Sequence, residues 1–262
     1  MTADEPTSDE TAGKRVTAAL LIIGNEILSG RTVDANLPYL ADFLGKIGIR
    51  LMEVRVVPDI EDEIVGAINT LRAKVDYLFT TGGIGPTHDD ITAAAIAKAF
   101  GRKVIRHPEA ERRLTEFYPP ERRTEARMKM AEAPEGAELI DNPVSVAPGF
   151  IVENVHVMAG VPKIMQAMLD VLRPRLQGGA LVHARTLVVF RGEGDMASSL
   201  GAIQDRFPSI DIGSYPFFRM DKPGTSIVFR SDDTSAIDAA FAELEAYCRT
   251  NGIEAREELA LV

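Results

Sequence analysis

Val16 to Ile23 is a continuous apolar run, with Thr17 its one hydroxyl. Without polar alternation it reads as a strand buried on both faces, which needs a helical layer on each side of its sheet. The segments that follow supply those helices. From Asp34–Asn36 onward, Leu37, Leu40, Phe43, Leu44 and Ile47 recur at helical spacing, and Gly48 suits a C-terminal cap. Arg50 to Val57 predicts a second strand, closed by Pro58. Asp59 then suits an N-cap, with Glu61, Asp62 and Glu63 in the first turn and Ile64, Val65, Ile68 and Leu71 as the apolar stripe. A third strand, Asp76 to Phe79, leads through a glycine-rich loop to an alanine-rich helix, Ile91 to Phe100. This alternation predicts an α/β fold: a three-layer α/β/α sandwich around a mostly parallel sheet.

Farther on, Tyr118-Pro119-Pro120 divides a charged stretch, Arg106 to Glu135, into two helical pieces. Its arginines and Lys129 read first as a solvated face paired with glutamates; the alternative is that one or two arginines fold over the glycine loop and hold a phosphate. Phe150–Val152 and Val155–Ala159 form a hairpin, and Pro162 opens a helix striped by Ile164, Met165, Met168, Leu169 and Leu172. Gly178-Gly179 marks a linker. Residues 182–262 then restart as a small α+β domain of βαββα pattern, with strands at Thr186–Phe190, Ser209–Tyr215 and Thr225–Phe229. Asp195 caps its first helix, and a final helix runs from about Asp233 to Thr250. The expected organisation is a disordered tail over 1–15, a first domain over 16–177 and the small domain over 182–262.

The net charge of −10 and sequence pI near 5.0 argue against nucleic acid or an anionic membrane surface as partner. Cys248 is the single cysteine, excluding an internal disulfide, and its helical apolar context marks a buried inert thiol. No apolar run approaches the roughly 18 residues that span a bilayer, and Met1 to Lys14 lacks a hydrophobic leader, so a cytoplasmic location is expected.

The glycine loop, Thr80-Thr81-Gly82-Gly83-Ile84-Gly85-Pro86-Thr87-His88-Asp89-Asp90-Ile91-Thr92, carries the chemistry. Its glycines leave backbone amides free to approach an anion at a helix N-terminus. The plain alternative is a tight packing turn with Thr87 or Asp89 as N-cap. Asp89 and Asp90 oppose an anion: like charges about 4 Å apart repel by roughly 4 kcal/mol at an effective dielectric of 20. A helix N-terminus returns about 2 kcal/mol at best. A divalent cation or a basic side chain reconciles them, and carboxylates with phosphate oxygens are the ligand set for Mg²⁺-type ions. Glu26, in the Gly24-Asn25-Glu26-Ile27-Leu28-Ser29-Gly30 loop after the first strand, can complete that site. His88 is a candidate base or ligand, but His107, His156 and His183 add no ligand spacing.

At these residues the chain resembles the molybdopterin-binding (MoCF biosynthesis) superfamily. It is most similar to the N-terminal domain of competence/damage-inducible protein A and to the molybdopterin-binding-like domain of FAD synthases. The stretches that match are Gly24–Leu28, Asp34-Ala35-Asn36, Val56–Asp59, Thr81–Thr92, Asn142-Pro143-Val144, Ala147–Phe150 and Gly160-Val161-Pro162. Gly213-Ser214-Tyr215-Pro216 resembles a marker of the small domain. The resemblance implies Asp90 as the essential acid, with Glu26 facing it and Asp89 beside it. It implies phosphate or nucleotide contacts at Gly24, Asn25, Thr81, Gly82, Gly83, Gly85, Pro86, Thr87, Thr92, Asn142, Ser145, Pro148, Gly149 and Gly160.

The implied activity is hydrolysis of a nucleotide pyrophosphate, FAD or ADP-ribose, to give AMP. The implied cofactors are a divalent metal (Mg²⁺, Mn²⁺ or Co²⁺) and K⁺, in a homo-oligomer, dimer or trimer. The alternatives are molybdopterin binding or adenylyl transfer in molybdenum cofactor biosynthesis, and a non-catalytic nucleotide-binding module. Two departures from the family pattern stand out. Ser145 replaces a glycine, which restricts positive φ there, and Ala159 replaces a proline.

Overall fold

The computed structural model describes residues 15–219 and 222–258, the side chain of Arg219 excepted; the expected tail, up to Lys14, lies outside them. The chain divides into two compact units, residues 1–180 and 181–262.

The first unit begins with β1 (Val16–Ile23), a one-turn helix α1 (Asn25–Leu28), α2 (Asn36–Lys46), β2 (Ile49–Val57), α3 (Glu61–Arg72), β3 (Tyr77–Thr81) and α4 (Thr92–Ala99). A subsidiary segment follows, with β4 (Val104–Arg106), α5 (Pro108–Phe117), α6 (Glu125–Met128) and β5 (Glu132–Pro134). It ends with β6 (Glu138–Ile140), β7 (Gly149–Val152), β8 (Val155–Met158) and α7 (Pro162–Leu172). The main sheet has the order β2-β1-β3-β8-β7-β6, parallel from β2 to β8 and antiparallel through β7 and β6.

Alternation along β1 divides the core. Ala19, Leu21 and Ile23 join Ile64, Ile68 and Leu71 of α3 and Ile96 of α4, whereas Ala18, Leu20 and Ile22 join Leu40 and Leu44 of α2 and Met165, Leu169 and Leu172 of α7. Each such Leu or Ile stabilises by about 1.5–3 kcal/mol over its exposed state. A helical layer therefore covers each face, as the apolar run in β1 requires.

β1 is an interior strand, and the chain places β2 on one side of it and β3 on the other. The β1–β3 gap is thus the point where the direction of winding reverses, and a crevice opens there beyond the carboxyl ends of the strands.

The second unit comprises β9 (His183–Val189), α8 (Glu193–Arg206), β10 (Asp211–Arg219), β11 (Lys222–Ser231), α9 (Thr234–Thr250) and β12 (Ala255–Glu258). Its sheet, ordered β10-β11-β9-β12, is antiparallel throughout and has its own core of Leu187, Val189, Ile227, Phe229, Ile237, Phe241 and Leu244. The expected βαββα pattern is extended by β12. The two middle strands also run into the segment expected to connect them, with Pro216 opposite Thr225 on the edge strand, where a missing N–H is tolerated.

Three capping expectations change. The helix expected from about Asp233 is α9, and Asp233 is its N-cap, accepting from Ala236 N at 3.1 Å. Asp195, however, lies inside the first turn of α8, where Gly192 is the N-cap. Asp59 does not cap α3, whose N-cap is Ile60. Neither Thr87 nor Asp89 caps α4, which begins after Ile91. Cys248 is buried, and burial pushes its thiol up in pKa, the behaviour of an inert core residue.

Candidate active site

The crevice is a cleft of about 520 Å³ lined by the ends of β1, β3 and β8 and by the loop after β6. Its floor is backbone. Gly82 has φ +104°, and a Cβ there would lie 2.1 Å from the Ile23 carbonyl oxygen, so only glycine lets the end of β3 come this close to β1. Gly83 has φ +67°, and a Cβ would meet Thr92 Oγ1 at 2.1 Å. Thr92 is fully buried and fixes the turn twice: its hydroxyl donates to Gly82 O at 3.0 Å and its amide to Gly83 O at 3.0 Å. Held this way, the amides of Gly83, Ile84 and Gly85 donate to no acceptor among the described residues. Successive unsatisfied amides of this kind make an anion cradle.

Asp90 closes the loop on itself. Its Oδ2 accepts from the Thr87 amide at 2.7 Å and from the Thr87 hydroxyl, and its carboxylate lies over Gly85, where a Cβ would be 2.7 Å from Oδ2. Neither Thr87 bond uses Oδ1. Glu26, at the start of α1, folds back over Gly24, whose Cβ would be 2.5 Å from Glu26 Oε2. No protein group among the described residues pairs with the Glu26 carboxylate. Asp59, freed from capping, accepts from the Asn25 amide at 2.9 Å and joins the lining.

The Asp89 carboxyl is held below the usual range, first by the neighbouring Thr87 hydroxyl, then by its own backbone amide, with His88 and Lys129 adding positive charge. The one proton of that hydroxyl goes to Asp90 in the hydrogen-bond geometry. The backbone amide is therefore the hydrogen bond left to Asp89 in that arrangement.

Twelve predicted positions line the cleft together: Gly24, Glu26, Gly82, Gly83, Gly85, Pro86, Thr87, Asp89, Asp90, Asn142, Ser145 and Gly160. The others do not. Asn25 contributes its amide to Asp59, Thr81 and Thr92 are buried beneath the loop, and Gly149 is a buried strand residue whose Cβ would strike Val157 O at 2.2 Å. Pro148 lines a smaller pocket of about 110 Å³, which Gly83, Gly85 and Asp90 also line. His88 is exposed and lies outside both linings. Among the described residues no three His, Cys, Asp or Glu side chains form a preassembled metal cluster, so Asp90, Asp89 and Glu26 share a cleft without converging.

Four carboxylates, Glu26, Asp59, Asp89 and Asp90, nevertheless face one cavity, and such hard oxygen donors fit a Mg²⁺-type ion better than any softer metal.

Sequence reasoning missed Asp59, Thr32, Met130 and Ile164 as lining residues. The capping pattern disguised Asp59, and the others carry no motif. It also looked to the arginines. Arg106 pairs with Glu125, Arg112 with Glu109 and Glu116, and Arg113 with Glu109 and Asp141. The basic residue that reaches the loop is Lys129, whose Nζ donates to Thr87 O at 2.8 Å.

The Asn142 loop resolves the Ser145 departure. Asn142 Oδ1 accepts from the amides of Val144 and Ser145, both at 3.0 Å, and its Nδ2 donates to Ser145 Oγ at 2.6 Å and Ala147 O at 2.7 Å. The left-handed residue is Val146, at φ +69°, and not Ser145. A β-branched residue in that region is strained, and strain of this kind gathers at ligand-holding loops.

A family model described as a probable molybdopterin binding domain matches residues 19–178, and one described as the FAD synthase middle domain matches residues 181–257. A protein of Archaeoglobus fulgidus is 34% identical over 227 residues, covering 86% of this chain and 95% of its own length. A CinA-like protein of Desulfosudis oleivorans is 37% identical over 219 residues, which cover 74% of this chain and 53% of that protein. The crystal structure of CinA from Thermoplasma acidophilum, a protein of unknown function, matches with a TM-score of 0.59 at 34% identity, over 62% of this chain and 99% of that one. The chain belongs to the molybdopterin-binding (MoCF biosynthesis) domain family, with a FAD-synthase-type middle domain following in the same chain and CinA-like proteins among its relatives.

Proposed function

We propose that the cleft hydrolyses the pyrophosphate bond of a nucleotide pyrophosphate, FAD or ADP-ribose, releasing AMP together with FMN or ribose 5-phosphate. The observation that carries this reading is the pairing of three unpartnered loop amides with four carboxylates at one crevice. Amides alone would suit any anion, and carboxylates alone would repel one. Together they suit a polyphosphate that arrives with a cation. The cleft volume of about 520 Å³ lies within the range of nucleotide-sized ligand sites.

In this reading the amides of Gly83, Ile84 and Gly85 hold one phosphate. Asp90 Oδ1, Asp89, Glu26 and Asp59 are the groups that would hold a divalent cation. Such an ion, when bound, supplies positive charge at the phosphoryl oxygens where negative charge develops. Thr87 keeps Asp90 in one rotamer through two bonds to Oδ2, so Oδ1 is presented without reorganisation. The match of residues 181–257 to a FAD synthase middle domain favours a flavin dinucleotide as substrate.

The match of residues 19–178 favours a second reading, molybdopterin binding with or without adenylyl transfer. Incubation with FAD and with ADP-ribose plus Mg²⁺, Mn²⁺ or Co²⁺, followed by chromatography for AMP, separates the two. We expect AMP, with Asp90→Asn about 100-fold slower or worse. No AMP with any metal rejects the hydrolase reading, and unchanged turnover in the variant rejects the site.

A further inference from the structure

Lys129 is the one lysine or arginine among the residues lining either the cleft or the adjoining small pocket. It sits on a short 3₁₀ turn, Lys129–Ala131, directly after α6. That turn is anchored from both sides: Met128 and Ala131 are buried in a satellite core with Ala110 and Leu114 of α5, and Ala131 O accepts from the His107 amide at 2.8 Å. The lysine therefore projects from a fixed platform. Its ammonium carries three N–H donors, of which the contact with Thr87 O takes one. In the small pocket it shares the lining with Asp90 and with Gly83, Ile84 and Gly85, whose amides lack acceptors.

We propose that Lys129 is a phosphate-binding residue, its ammonium and the amides of Gly83, Ile84 and Gly85 together taking one phosphate group of the ligand. The inference rests on reading the loop as a phosphate site, and it does not require that the bound phosphate be cleaved. It also addresses the charge conflict within the loop. A cation built into the chain offsets part of the repulsion between phosphate and Asp90, so part of the affinity is independent of metal. The lysine supplies a point charge and tolerates phosphates of different orientation, whereas a bidentate arginine would demand one. A solely structural lysine would need only its one bond to the Thr87 carbonyl.

Lys129→Gln separates the two roles, because a glutamine amide can still donate to Thr87 O but carries no charge. Binding of inorganic pyrophosphate would be measured by calorimetry in EDTA and again in Mg²⁺, for the wild type, K129Q, K129R and the distant surface variant Lys46→Met. Expected is a loss of about tenfold or more in K129Q, near-complete rescue in K129R and no change in K46M. The K129Q deficit should shrink as salt rises from low ionic strength to about 0.5 M, since screening weakens a charge contact but not a packing defect.

Equal affinity in wild type and K129Q, a deficit independent of salt, or no pyrophosphate binding by the wild type would each overturn the assignment. Lysine-dependent pyrophosphate binding without release of AMP from FAD or ADP-ribose leaves the inference standing and removes the hydrolase reading. AMP release with lysine-independent pyrophosphate binding does the reverse.

Discussion

At the scale of single residues, Gly83 and His156 show two ways in which a position becomes fixed. Gly83 combines φ +67° with a Cβ direction that ends 2.1 Å from the buried Thr92 hydroxyl. Left-handed geometry alone costs an L-residue roughly 1–2 kcal/mol, and Thr92 has no space to retreat. Gly83→Ala should destabilise by about 2 kcal/mol or more, read from the urea midpoint. His156 is buried against Tyr77 and Phe79, with ring centroids 5.6 and 5.3 Å away, and burial lowers its pKa to about 4. The unfolded chain, with a pKa near 6.5, binds the proton more tightly than the folded one. Stability is therefore full above pH 6.5 and falls as pH drops toward 4, by about 3 kcal/mol in all. His156→Phe should flatten that part of the pH–stability curve; an unchanged slope would mean that another group titrates.

At the scale of elements, the turn between β3 and α4 is the unit that makes the cradle. Thr92 ties the first residue of the helix to the first glycine after the strand, so the two elements approach each other through one buried hydroxyl. Thr92→Val keeps the shape and deletes that donor. A loss of about 1–3 kcal/mol is expected, with faster hydrogen exchange than in the wild type at the Gly82 and Thr92 amides, which bond Met158 O and Gly83 O; exchange unchanged there would show that the turn is held by other means.

Much of this was legible beforehand. The apolar run of β1, the stripes of α2, α3 and α7 and the glycines of the loop all follow from periodicity and turn chemistry. The short strands β4, β5 and β6 were not, because three residues carry no period. Asp59 was misread for a different reason. A carboxylate before an acidic first turn is the capping pattern, and only the fold brings the Asn25 amide, far away in sequence, to compete for it. Lys129 was hidden likewise, since a basic residue in a charged stretch looks solvated until the platform beneath it is known.

At the scale of the molecule, the two units have separate cores and divide between Ala180 and Leu181. Gly179 still belongs to the first unit, its amide bonded to Gly48 O at 3.1 Å, while Leu181, Val182 and His183 are exposed. A protease of broad specificity should cut first among those three residues and leave two resistant fragments, visible by mass spectrometry. First cuts in the segment around Pro119–Arg123 would instead make that segment the weakest point. Among the described residues no helix is long and apolar enough to cross a membrane.

The backbone floor of the cleft also bears on how such a site can diversify. Where Gly82 meets the Ile23 carbonyl, no substitution can add a side chain without parting the strands, and a Cβ at Gly160 would press on the Gly82 Cα at 3.2 Å. Descendants of this chain, natural or engineered, are thus confined to the rim when they change ligand. Met130, Val161 and Ile164 line the same cleft with side chains that can vary in size and polarity while the backbone floor stays the same. A library restricted to those three positions would explore which molecule is accepted without disturbing the glycine floor beneath it.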